Sequence, residues 1–135
     1  MTGTPTLIQS GTLYDNAGSN YRGFWNSSIA MSGQGHSVLG FSTASQVNYA
    51  DAGVAGRYSS DASGALQPFV LATPSSTAYN VQAVDGQRWG DYSQVVVDPN
   101  DNMTMWTFQE YCNGTNSWGE RVIQLIAPAP PPTAV

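Results

Sequence analysis

The stretch YSQVVVDPNDNMTMWTFQ, residues 92–109, reads as two strands joined by one tight turn. Val-rich and aromatic-rich runs flank Asp98-Pro99-Asn100-Asp101-Asn102, the composition that reverses a chain. The same grammar extends outward in both directions. Strands are predicted at 6–13, 26–31, 37–43, 53–58, 67–72, 92–97, 103–109 and 120–126, with turn signals at Ser32-Gly33-Gln34-Gly35, Asp61 to Gly64 and Asn113-Gly114. No segment sustains the i, i+3, i+4 apolar face of a helix, so the fold class is all-β.

Composition bounds the possible functions. The chain has 135 residues, enough to bury a core without disulfides, and its 41% hydrophobic and 11% aromatic content belongs to a folded domain. It has four arginines, no lysine and nine acids, for a net charge of -5. Partners that need clustered positive charge, nucleic acid and anionic membrane surfaces, are therefore not expected. The single cysteine, Cys112, permits no internal disulfide and leaves an inert thiol or a cross-chain bond. No run approaches the ~18 apolar residues of a spanning helix, so no membrane insertion is expected, and the N-terminus lacks the pattern of a signal peptide. Abundant Ser, Thr, Asn and Gly has the look of extracellular usage. The ending APAPPPTAV, residues 127–135, reads as an extended proline-rich linker.

An internal repeat organises the rest. Arg22-Gly23-Phe24-Trp25 corresponds to Arg88-Trp89, and Arg57 in GVAGRY to Arg121 in WGERVI. The four arginines thus form two pairs, separated by 66 (22 to 88) and 64 (57 to 121) residues. A period of that length holds one four-stranded sheet and its connections. The first unit spans residues 14–75 and the second 76–126. The second reaches the proline tail after three strands, whereas segment 1–13 carries an orphan strand. In a closed β-propeller such an offset lets the N-terminal strand complete a distant blade.

The segment RWGDYS, residues 88–93, followed by VVVDPNDNMTMWTFQEY and WGERVIQL, resembles the closing blade of the sialidase-like β-propellers of large secreted bacterial proteins. FWNSSIAMSGQGHSVLGFS with VAGRYSSDASGAL is similar to the preceding blade. The resemblance implies two four-stranded antiparallel blades and an extracellular or cell-surface location. Two blades cannot close a ring, and an uncovered blade face leaves an apolar patch in water. The expected remedy is homo-oligomerisation, with a six-bladed homotrimer favoured, an eight-bladed tetramer as alternative, and segment 6–13 completing the second blade of a neighbouring copy. A monomeric β-sandwich is the simpler alternative.

Candidate site residues follow from the same frame. Asn26 and Asp91 stand just after Trp25 and near Trp89, where innermost strands begin. In a ring they present oxygens suited to calcium or another divalent metal at the central channel, with Asp91 as candidate catalytic residue of a metal-dependent hydrolase of activated esters, lactones or phosphotriesters. Trp25, Trp89, Tyr92, Arg22 and Arg88 are the residues expected to contact a small molecule or glycan, which makes a carbohydrate-binding module a further alternative. The arginines fall at repeat positions, which speaks for a structural role and against true sialidase chemistry. Asp98 to Asn102 fits a turn held by Asx hydrogen bonds better than a calcium loop, because Met103 stands where the loop needs glycine. His36 is the sole histidine, too few for a multi-histidine zinc site in one chain.

Overall fold

The computed structural model describes residues 3–84 and 86–128. Seven strands form two antiparallel meanders. The first sheet runs β1 (Gly23–Met31), β2 (Ser37–Ala44), β3 (Asp51–Arg57) and β4 (Val70–Leu71), each hydrogen-bonded to the next. The second runs β5 (Gln94–Val97), β6 (Met105–Gly114) and β7 (Ser117–Leu125). The all-β expectation holds; among the described residues the second sheet has three strands, one fewer than the four expected of each blade. Among the described residues no helix is long and apolar enough to cross a membrane.

The two sheets lie face to face, with β1 against β5 and β2 against β6. These are the strand pairs that the sequence repeat equates. Alternation along β2 turns Val38, Gly40 and Ser42 toward the second sheet, where Val38 meets Val95 and Met105 in a small core, backed by Ala30, Val97 and Leu125. Beside this core the interface is polar: Ser42, Thr107 and Gln109 are almost wholly buried. Gly40 is what lets the sheets approach, because a Cβ there would strike the Thr107 hydroxyl and the Gln109 amide. The corresponding turns of the two units also meet, the Gly33 N–H donating to the Asn102 carbonyl at 3.1 Å.

The opposite face of the first sheet has its own packing. Phe41, fully buried, meets Phe24 and Phe69 edge to face at ring-centroid distances of 4.9 and 6.4 Å. Nearby, Arg22 donates to Asp51 at 3.1 Å in a nearly buried ion pair. Asp51 also accepts from the Ser75 N–H at 2.8 Å and the Thr73 hydroxyl at 3.2 Å. One carboxylate therefore ties together the approach to β1, the start of β3 and the strap after β4. Removing either partner of such a pair leaves a buried charge uncompensated.

Several boundaries differ from the sequence expectation for local reasons. Residues 6–13 form no strand within the chain. They run beside the 64–69 loop, where Gln9 accepts from the Gly64 N–H at 3.1 Å, and Leu7 and Ile8 stay more than 80% exposed. The predicted strand 67–72 shrinks to Val70–Leu71 in the ladder because Pro68 has no N–H, although Gln67 and Ala72 still donate to the Gly56 and Ala52 carbonyls. β6 and β7 run longer than expected, since the chain reverses one step later than Asn113-Gly114, with Gly114 paired to Ser117 and Asn116 at φ 55°. Most of the expected linker 127–135 lies outside the described residues. The close approach at Gly40 makes a direct prediction. Gly40→Val should cost about 1–3 kcal/mol of stability by overpacking the intersheet space. Urea denaturation checks this, and a wild-type midpoint would show that the sheets are not held that close.

Candidate functional site

The connection from β4 to β5 crosses the end of the two-sheet stack and brings Tyr79 and Trp89 with it. Trp89 is fixed by its indole N–H, which donates to the Ser42 hydroxyl at 3.0 Å. Ser42 in turn donates to the Glu110 backbone carbonyl at 3.2 Å. One buried hydroxyl on β2 thereby positions a loop tryptophan and a β6 residue at once. Tyr79 meets Trp89 nearly perpendicularly, at 5.4 Å between centroids and 88° between planes. Trp118, at the start of β7 and 55% exposed, supplies a further aromatic wall. These three rings, with Arg88, Asp91 and Glu110, line a cleft of about 240 Å³.

The charged groups of the cleft are not equivalent. Arg88 and Asp91 pair with each other, the guanidinium donating to both carboxylate oxygens at 2.5 and 2.6 Å, which raises the arginine's already high pKa. Among the described residues Glu110 has no cationic partner. Burial in the cleft pushes its carboxyl above the usual range; the Gly90 N–H pulls it back in part, and the charges of Glu120 and Asp91 add to the rise. Glu120 stands directly opposite Glu110 in the β6–β7 ladder. Gly90 leaves room for the Glu110 carboxylate, which would have to move aside for a Cβ at that position.

The residues expected from sequence divide between this cleft and other places. Trp89, Arg88 and Asp91 come together in it. Trp25 packs behind Trp89, edge to face at 6.3 Å, and lines the adjoining hollow. Asn26 takes a left-handed conformation, φ 50°, at the irregularity in β1, and its amide N–H donates to the Gly90 carbonyl at 3.2 Å. It thus supports the loop carrying Asp91. Tyr92 lies apart, 88% exposed, beside Phe108 and Glu120 on a shallow shelf. Arg22 is engaged with Asp51 on the far side of the first sheet.

Calcium at Asp91 and Asn26 depends on copies meeting at an axis. Among the described residues of one chain, no three His, Cys, Asp or Glu side chains converge as metal ligands. The Asp98 to Asn102 segment is a turn closed by Asx bonds. Asp98 accepts from the Asn100 N–H, and Asp101 from the N–H groups of Met103 and Thr104 and the Thr104 hydroxyl, which hold the Asp101 carboxyl below its ordinary range. His36 links the β1–β2 turn to the loop after β3, accepting from the Ser59 N–H at 3.1 Å. Cys112 is buried.

No known protein family matches the chain, and no curated protein and no solved structure is significantly similar to it. Glu110, Tyr79 and Trp118 are not among the site residues expected from the sequence. Their shared signal is positional. Each sits where a strand or connection of one unit reaches the end of the stack near Trp89, which only the three-dimensional pairing reveals.

The Glu110 environment carries a prediction about pH. Its folded state holds the proton more tightly than the unfolded chain, so its contribution favours folding at low pH and is lost as pH rises through the folded pKa. Glu110→Gln removes that loss. The variant should melt higher than wild type near about pH 7 and show no gain near about pH 3.5, below the ordinary carboxylate range. Equal melting differences at both pH values would mean that burial does not perturb this carboxyl.

Proposed function

We propose that the chain is a self-assembling two-blade unit of a β-propeller that binds a small ligand in the cleft between Tyr79, Trp89 and Trp118. The observation that carries the ligand reading is the convergence of three aromatic rings and three charged groups on one concavity, with Trp89 locked in place by Ser42. Concave sites with aromatic walls and a few placed polar groups are the usual form of a small-molecule pocket. A locked wall loses little conformational freedom on binding.

Self-assembly is supported by what the stacking leaves uncovered. The outward face of the first sheet keeps Ile29 and Met31 exposed, and that of the second keeps Phe108 and Val122. Among the described residues β7 pairs only with β6, so its other edge is free to accept a strand. The extended, exposed Leu7-Ile8 segment has the composition to supply one. In a ring of three or four copies each outer face packs against a neighbour, and the cleft stays open at the end of the stack.

Trp118 separates ligand binding from folding because it is exposed at a hairpin end. Trp118→Ala should keep the wild-type melting temperature within about 1–2 °C, as surface changes do. It should also lose the saturation-transfer NMR signals given by a panel of soluble sugars and organic amines with the wild-type protein. Signals that persist in the variant would place binding elsewhere, and a panel without a single signal would contradict the cleft as a ligand site.

A further inference from the structure

We propose that the ligand of this cleft carries a quaternary ammonium group, held against the aromatic walls with the Glu110 carboxylate as its counter-ion. The inference rests on the cleft being the ligand site and adds the chemical class that fits it. Three features select that class. Tyr79 and Trp89 stand perpendicular, edge to face, and line the cleft together with Trp118. Sugar rings stack best on a flat shelf, whereas aromatic walls set at an angle suit a compact, rounded cation attracted by π quadrupoles.

The charge balance points the same way. Arg88 and Asp91 cancel each other at the rim. Glu110 remains, partly buried, without a cationic partner among the described residues and facing Glu120 across the ladder. A carboxylate so placed is relieved by a cation entering the cleft and burdened further by an anion. The cation is not a metal ion, for which too few hard ligands converge among the described residues. A primary ammonium has three donors that need acceptors to replace its strongly held water, and among the side chains lining the cleft Glu110 is the one carboxylate not already ion-paired. An alkylated ammonium has no N–H to satisfy and is weakly hydrated, so aromatic walls and one carboxylate suffice. The cleft's 240 Å³ exceeds the roughly 150 Å³ cavity that holds a benzene molecule, which leaves room for a trimethylammonium head and the start of its tail.

The test uses choline and its uncharged isostere 3,3-dimethylbutan-1-ol, titrated into the full chain near neutral pH and followed by tryptophan fluorescence and calorimetry. Choline should bind saturably, and the isostere about ten-fold more weakly or worse. Glu110→Gln should weaken choline about ten-fold and leave the isostere unchanged, since only the charge interaction is removed. Trp118→Ala should abolish both. Equal affinities for choline and the isostere, or a Glu110→Gln variant that binds choline as wild type does, would overturn the proposal. Methyl glucoside is the further probe. If it binds through Trp118 while choline does not, the cation inference falls and the cleft survives; if no probe binds saturably, both fall.

Discussion

A single hydroxyl joins the two halves of this molecule and shapes its cleft. Ser42 lies fully buried on β2, accepting from the Trp89 indole and donating to the Glu110 carbonyl. Buried polar groups must find partners, and here each of the three groups finds one across the boundary between the sheets. Replacing the hydroxyl by a methyl group would leave a partly buried indole N–H without its acceptor, at a cost of about 1 kcal/mol. Because the same bond sets the orientation of Trp89, stability and ligand geometry are coupled at this point.

The intersheet space surrounding Ser42 is thin and partly polar, with Gly40 permitting contact and Val38, Val95 and Met105 supplying a modest apolar core. Such an interface fixes register more than it buries area. It holds β1 opposite β5 and β2 opposite β6. A sandwich of two sheets would turn its apolar residues inward. This chain also leaves Ile29, Met31, Phe108 and Val122 exposed on its outward faces, the apolar surface that the proposed assembly would cover.

Much of this was legible in the sequence, because it depended on local chemistry. The Asp98 to Asn102 turn declares itself by composition, and the strands beside it by their Val and aromatic content. The repeat of arginines and tryptophans marked the units that stack. The cleft was only half legible. Trp89, Arg88 and Asp91 stood out by their place in the repeat, but Glu110 looks like any outward strand residue until Gly90 is seen resting against it. Arg22 matches Arg88 in the repeat yet differs from it in role. One is locked to a buried Asp51, the other exposed beside Asp91, a distinction set by packing that a motif does not encode. Segment 6–13 has the composition of a strand, but within one chain it meets no free edge, and a strand needs a partner before it needs propensity.

The most direct test of the proposed architecture is the native mass in solution by light scattering. For the proposed closed ring the expected result is a discrete species of about three times the 14.3 kDa chain mass, with four times also compatible with closure. A stable monomer at concentrations well above the micromolar range would contradict it, because the outer faces and the free edge of β7 would then remain in water with no copy to cover them.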